Sequence, residues 1–478
     1  MSTPFRSSFF QLASILVALL AVTSCGAGGG AAKNVILISI DTLRPDHLGC
    51  YGYERPTSPT LDNIAADGIV FEDCSSTAPW TLPGHASMLT GLYPSTHGVK
   101  DHTRTLGDIP SLATFLKGAG FKTMAIVNSH NIATERYGLT KDFDSFEYVL
   151  EQEQIPGKLN AQGLPALGIG NRGPAITRKA LRVLEGHQKE AGETPFFLFL
   201  HYYDVHTDFT PAPKYKQMFV EPYDGPLTGN TQQLVGYRVR GETITDDDAR
   251  FLRQMYDAEI RQLDDILAGL FSYLDDRGLR ENTLVVITSD HGEEYGEHGG
   301  VLHGRSQYQE LLGIPLIMRG PSIPPGSTHS GGVSLVDVVP TILKMTGVRT
   351  EAEFDGLDLT LAWLNPDKLN APRYIFGEAD HNNWIEAGGK RAKYADVAWM
   401  IRLANDKLHF NEITKRYELY NIESDPGEQN DISQQERDKL EFLKSELNDY
   451  MRNEGTGNRI TPPGEAEMQK LRELGYAE

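Results

Sequence analysis

Of 478 residues only three are Cys, and no Cys-x-x-Cys or Cys/His spacing of the kind that holds structural zinc occurs. No block of Lys and Arg stands out, and 45 Lys+Arg against 65 Asp+Glu leave a formal charge of −20. That balance argues against the phosphate-backbone grip on which most nucleic-acid binders depend. No apolar run reaches the ~20 residues of a membrane-spanning helix, and no internal repeat is present. What remains is an ordinary globular composition, 40% hydrophobic and 23% charged with 47 Gly and 26 Pro, and enough apolar side chains for a large core.

The N-terminal residues stand apart from the fold. Arg6 precedes the apolar stretch LASILVALLAV, too short to span a bilayer and of the length of an export leader. It runs into Val22-Thr23-Ser24-Cys25, the pattern of a bacterial lipoprotein signal in which the Cys is acylated and becomes the new N-terminus. GAGGGAA then reads as a flexible tether. The expectation is a leader over 1–24, a tether over 25–32 and an exported lipoprotein facing the periplasm or the cell exterior, held to the membrane by a lipid on Cys25 alone. A leader cleaved after a small residue, with Cys25 incidental, is the alternative. Cys50 and Cys74 are then left in an oxidising compartment, as a disulfide or as two buried thiols.

From Lys33 onward, β-rich runs alternate with helical stretches, which predicts an α/β fold with a mostly parallel sheet wrapped by helices. The clearest strands are VILISI (35–40), TMAIV (123–127), FFLFLH (196–201) and TLVVITS (283–289). Asp41 follows the first, Asn128 and His130 the second, Asp204 and His206 the third, Asp290 and His291 the fourth. In open α/β sheets ligands sit beyond the carboxyl ends of the strands, so these polar endings converge on one crevice. A long helix begins near Thr245, with Asp246, Asp247 and Asp248 at its positive end and Phe251, Leu252, Met255, Leu263, Ile266, Leu267, Leu270 and Leu274 at core spacing. The stretch from Glu151 to Gly173 lacks periodicity and reads as a loop or insertion near the crevice. After Pro366 shorter alternating stretches and a charged helix from Gln434 to Asn453 predict a smaller antiparallel α+β domain, giving a division at 33–366 and 367–478.

Two constellations carry chemistry. In Trp80-Thr81-Leu82-Pro83-Gly84-His85 a hydroxyl stands just before a Pro suited to a helix start. At a positive helix end the Thr81 alkoxide, or a bound phosphate or sulfate oxygen, would be stabilised, although a Thr there also serves as a plain N-cap. Ser289-Asp290-His291-Gly292-Glu293, together with Asp41, places two carboxylates and an imidazole at adjacent strand ends. That is a divalent-metal site able to activate a hydroxyl nucleophile, or else a salt-bridged Asp-His pair. Gly292 would let the backbone turn sharply there.

On these residues the chain resembles the sulfatase branch of the alkaline phosphatase superfamily. ILISIDTLRPDHLGCYGY is similar to that family's first strand and metal loop, TLPGHASMLTG to its nucleophile signature, and HYYDVHTDFTPAP to its substrate-side His segment. TLVVITSDHGEEYGEHG resembles its second metal segment and ELYNIESDPGEQND its C-terminal signature. Four departures accompany the match. Thr81 stands where the family has the Cys or Ser that becomes formylglycine, His85 replaces an Arg, Thr42 an Asp and Asn128 a Lys, while His130 falls where that segment's His would be. The resemblance therefore implies the family scaffold with altered chemistry and no formylglycine.

Carried over, the resemblance implies a divalent metal (Ca, Mg, Mn or Zn) on Asp41, Asp290 and His291, with the Thr81 hydroxyl completing the sphere. Thr81 would be the nucleophile, His206 or His303 would protonate the leaving alkoxide, and His85 and Asn128 would contact the nonbridging oxygens beside His130. Asp204, His206 and His303 could instead hold a second metal. The implied substrate is an anionic ester, a phosphate (di)ester, phosphonate or sulfate ester with a glycan or lipid headgroup among the candidates, and nucleic-acid binding is not expected. A sulfuric ester hydrolase, a phospho-headgroup transferase and a catalytically silent glycan-binding relative are the alternatives.

Overall fold

The structure is a computed structural model; it describes residues 31–149, 172–380 and 397–452, and the backbone of 154–159 and 165–167. Cys25 and the leader lie outside the described residues.

The large sheet comprises β1 (Asn34–Ile40), β2 (Ile69–Ser75), β3 (Lys122–Val127), β4 (Ser145–Tyr148), β5 (Phe196–Tyr202), β6 (Thr283–Thr288), β7 (Gly313–Arg319), β8 (Ser327–His329) and β9 (Val333–Ser334). The strands are ordered β8-β2-β7-β6-β1-β5-β3-β4, with β9 also beside β2, and only β7 runs against the rest. All seven residues of β1 and of β5 are buried. Both faces of this sheet are covered, so its central strands are continuous apolar runs rather than alternating ones. The strand period still sorts them: Val35 and Leu37 join one core cluster, and Ile36, Ile38 and Ile40 join the cluster on the other face.

Helices α1 (Thr81–Thr90) and α4 (Val338–Thr346) pack on the Val35 face, α2 (Gly173–Glu190) and α3 (Asp246–Asp276) on the Ile36 face. Thr245 caps α3 through a reciprocal pair with Asp248, the acidic first turn suits the positive helix end, and Phe251, Leu252, Met255, Leu263, Leu267, Leu270 and Leu274 form its buried stripe. Within the 151–173 stretch, Gln154–Leu159 pairs antiparallel with Pro165–Leu167, a ladder too short to carry a readable alternation. Among the described residues no helix is long and apolar enough to cross a membrane.

A second sheet follows, antiparallel and in chain order: β10 (Tyr374–Asp380), β11 (Val397–Leu403), β12 (Asp406–Asn411) and β13 (Arg416–Asn421), covered by α5 (Arg437–Arg452). Trp399, Ile401, Leu408, Leu419, Phe442, Leu443 and Leu447 make its core, which Tyr93 and Val336 join from the first region. Buried ion pairs add to this contact: Lys100 Nζ to Glu378 Oε2 at 2.7 Å, Arg373 to Asp337 at 2.9 Å, and Arg402 with Asp73. Cys50 and Cys74 are both free thiols, and burial pushes Cys50 up to about 12.

Candidate active site

Parallel pairing sets Ser39 of β1 opposite Thr288 of β6 on one side and opposite His201 of β5 on the other. The residues leaving these three strands therefore emerge together, with Asp41 from β1 and Asp290 and His291 from β6. The strand ends are held by a backbone bond and a side-chain bond: Asp41 N–H donates to Tyr202 O at 2.9 Å, and Leu43 N–H to Ser289 Oγ at 2.9 Å. Thr42 adopts φ +57°, which brings its N–H to within 3.4 Å of Asp290 Oδ1.

Helix α1 brings in the hydroxyl. Thr81 is the first helical residue and Trp80 the N-cap, without a capping side-chain bond. Thr81 is thus no cap, and its Oγ1 lies 3.5 Å from His291 Nε2. Gly84 allows this approach, since a Cβ there would stand 2.8 Å from the Asp290 carbonyl oxygen. Gly292 is likewise required by space: a Cβ would meet the Glu310 carbonyl at 2.1 Å, and the residue is not in the left-handed region that a sharp turn would use.

Asp41, Asp290 and His291 are fully buried, and their ligand atoms lie within 4.8 Å of one another. Asp290 Oδ1 accepts from His291 N–H at 3.1 Å, while Asp290 Oδ2 and both carboxylate oxygens of Asp41 make no hydrogen bond. His291 Nδ1 donates to the Gly292 carbonyl at 2.8 Å, which leaves the Nε2 lone pair facing Asp41 Oδ1 at 3.6 Å and Asp290 Oδ2 at 3.4 Å. Burial and then the charge of Asp41 raise Asp290 to about 7; burial raises Asp41 and lowers His291 to about 4. Buried carboxylate oxygens without donors, an imidazole lone pair and a hydroxyl form a donor set that fits a divalent cation.

Several expected residues are placed differently. His85 is completely buried: its Nδ1 donates to the Thr81 carbonyl at 2.8 Å and its Nε2 lies 2.9 Å from Ser39 Oγ, so neither nitrogen is left for a substrate oxygen. With Nδ1 also 3.3 Å from Asp290 Oδ2, it links the helix start to that carboxylate. His130 is exposed and engages Thr134 of its own turn at 3.2 Å. Asp204 does not join His206 and His303. Its Oδ1 accepts from Gly173 N–H at 2.6 Å, at the start of α2, a partner 31 residues away in sequence. The carboxylate beside the two imidazoles is Glu293, with His303 Nδ1 3.0 Å from Glu293 Oε1 and the His206 and His303 rings 4.9 Å apart. Asn128 is buried at the site, with Oδ1 3.1 Å from His201 Nδ1 and Nδ2 making no hydrogen bond.

His201 is the functional candidate that motif reading passes over. Its Nε2 lies 3.3 Å from Asp41 Oδ2, and its one sequence signal is a polar residue near the end of an otherwise apolar strand.

A mostly parallel sheet whose strand ends gather two carboxylates, an imidazole and a helix-start hydroxyl defines a metal-assisted ester hydrolase. The chain belongs to the sulfatase family: the family model described as Sulfatase matches residues 33–348, and one described as N-sulphoglucosamine sulphohydrolase, C-terminal, matches 296–454. It is 24% identical to the N-acetylglucosamine-6-O-sulfatase of Bacteroides thetaiotaomicron over 88% of this chain and 87% of that one. Its fold is similar to a solved structure in complex with the substrate D-glucosamine-2-N,6-O-disulfate (TM-score 0.69, 22% identity, 90% of this chain and 100% of that one). It is equally similar to the phosphonate monoester hydrolase of Agrobacterium radiobacter (TM-score 0.69, 19% identity, 91% of this chain and 98% of that one).

Proposed function

We propose that this protein hydrolyses phosphoryl esters, phosphate diesters or phosphonates, with the unmodified Thr81 hydroxyl as nucleophile. The observation that carries the reading is the Thr81 hydroxyl 3.5 Å from His291 Nε2, at an uncapped helix start beside carboxylate oxygens that lack donors. Asp41, Asp290 and His291, with the Thr81 hydroxyl, would hold a divalent cation, Ca, Mg, Mn or Zn. Held there, such an ion would favour the alkoxide of Thr81 and would offset charge on the substrate's equatorial oxygens.

Thr81 Oγ1 attacks phosphorus in line with the leaving oxygen, and the free N–H groups at the start of α1 face the charge that builds up. The leaving oxygen departs on the side of His206 and His303, the more open wall: the His303 side chain is 18% exposed, whereas Asp41, Asp290 and His291 are inaccessible. Water then cleaves the Thr81 phosphoester. Formylglycine releases sulfate by collapse of its hydrate to the aldehyde, a route closed to Thr, and this favours phosphoryl over sulfuryl transfer.

A second reading, a sulfate ester of an amino sugar as substrate, is supported by the names of the relatives above. Aryl phosphate, phosphodiester, phosphonate and sulfate esters assayed with Ca, Mg, Mn and Zn separate the two. The expected result is phosphoryl turnover above sulfate turnover, with a phosphate adduct on residue 81 in quenched enzyme; strong sulfate turnover with weak phosphoryl turnover would overturn the proposal.

The leader and Val22-Thr23-Ser24-Cys25 further support a reading in which the enzyme works tethered by acylated Cys25 on an exported face. Cys25→Ala is expected to release active enzyme into the soluble fraction, and wild-type protein found freely soluble with another N-terminus would end that reading.

A further inference from the structure

We propose that Arg172 determines specificity by receiving an anionic group, a carboxylate or a phosphate, carried on the leaving alcohol of the ester; this rests on the hydrolase reading above. Arg172 is the N-cap residue of α2 and is 7% exposed, yet its guanidinium is poorly engaged. Its Nη1 approaches the Asn128 and Val149 carbonyls only to 3.5 Å, and its Nε is buried with no hydrogen bond. Among the described residues no carboxylate stands within ion-pair distance of it. Asp204, the acid at the start of α2, accepts from Gly173 N–H instead. A buried cation without a counter-charge is costly, and an incoming anion supplies one.

A second donor stands beside it. Asn128 is 3% exposed, and its Oδ1 is engaged by His201 Nδ1 at 3.1 Å, which leaves Nδ2 buried without a partner. A charged and a neutral donor thus lie together where β3 and β4 end, at the positive end of the 18-residue α2.

Position separates this anion from the phosphoryl group that Thr81 attacks. β3 lies two places from β1 in the sheet, so Asn128 leaves it ~10 Å to the side of Asp41. His201 fills the interval, with its Nε2 3.3 Å from Asp41 Oδ2. A phosphoryl group held at Asp41 does not extend that far. The faces of the sheet identify the part of the substrate that does. Thr81 arrives on α1, which packs on the Val35 face, whereas Arg172 opens α2 on the Ile36 face. In-line attack drives the leaving oxygen away from Thr81, toward His206. Tyr203 stacks on His206 with ring centres 4.2 Å apart, and Arg172 is near enough for its charge to act on the Tyr203 phenol.

The test varies the leaving group alone. Full-length enzyme is given phenylphosphonate esters of 3-hydroxybenzoate, of its carboxamide and of the corresponding phosphate-bearing phenol. In wild type kcat/KM should favour the better of the two anionic esters over the carboxamide by ~10-fold or more, the worth of a hydrogen-bonded charge, and the larger ratio names the group. In Arg172→Gln both ratios should fall to about one. Ratios near one in wild type, or unchanged ratios in Arg172→Gln, would overturn the proposal. Should that variant not fold, Arg172→Lys replaces it: partial loss is expected, and an unchanged ratio overturns the proposal equally. Absence of turnover with all three esters would strike the hydrolase reading only. Calorimetric titration with free 3-hydroxybenzoate and with the free phosphate-bearing phenol then decides: binding of either that is lost in the variant upholds the subsite, and no binding, or equal binding, overturns it.

Discussion

Thr81 and Asp290 sit on opposite sides of one contact, and their substitution separates chemistry from binding. Under the proposed function, Thr81→Ala removes the nucleophile while leaving Asp41, Asp290 and His291 in place, so kcat/KM for a phosphodiester should fall ~10³-fold or more. Thr81→Ser keeps a hydroxyl at the helix start and should retain a measurable fraction of the rate. Equal activity in wild type and Thr81→Ala would show that the hydroxyl only fills space. Asp290→Asn would take one carboxylate from the proposed cation site. Its Oδ1 contacts to His291 N–H and Thr42 N–H can survive in the amide oxygen, so the fold should persist while metal affinity and activity drop together. Unchanged metal affinity by calorimetric titration would place the ion elsewhere. His85 belongs to the same contact. Burial lowers it to about 4, so it stays neutral at physiological pH, with its Nδ1–H directed at the Thr81 carbonyl and Asp290.

The closeness of α1 and β6 depends on Gly84, which has no side chain where the Asp290 carbonyl passes. Gly84→Ala sets a methyl 2.8 Å from a backbone oxygen that cannot rotate away, so helix or strand end must shift, at ~1–3 kcal/mol for such overpacking. Thermal midpoint and metal affinity should both fall; a lower midpoint with unaltered affinity would mean that the helix moved and Asp290 did not. The elements themselves were legible in the chain. β1, β5 and β6 are continuous runs of apolar and β-branched residues, and Asp41, Asp290 and His291 stand directly after such runs. Thr81 was legible through its place before Pro83. The imidazole–carboxylate grouping was only half legible, because the carboxylate offered by sequence proximity, Asp204, is taken by Gly173 N–H. No local pattern announces the start of α2 as its partner. His201 was hidden for a similar reason, since its importance comes from the β1–β5 register that brings it to Asp41.

Across the whole molecule the C-terminal sheet is joined to the loop that follows Asp290 and His291, and Glu428 is the junction. Its carboxylate accepts from His409 Nε2 at 2.7 Å and Lys407 Nζ at 3.0 Å on β12 and from Gln309 N–H at 2.5 Å, while its carbonyl meets His298 Nε2 at 3.1 Å. His298 stacks on Tyr308 at 3.5 Å between ring centres and pairs with Glu310 at 2.6 Å. Burial alone would push Glu428 up, but the Lys407 ammonium and His409 outweigh it and hold the carboxyl down to about 2, against an ordinary 4.5. A carboxyl depressed by folding stabilises the native state fully above its unfolded value, and that contribution is lost as pH falls from 4.5 through 2. His298 behaves oppositely: burial works against its charge, yet the hydrogen bond and charge of Glu310 raise it to about 9, so its contribution is whole below its ordinary 6.5 and lost as pH rises through 9. Glu428→Gln should therefore cost ~3–5 kcal/mol at pH 7, because Lys407 remains buried without its counter-charge. The gap between variant and wild-type thermal midpoints should narrow as pH is lowered from 5 toward 3, since protonation there removes from the wild type what the substitution has already removed. A gap that stays constant over that range would show that the Glu428 charge does not hold the two regions together.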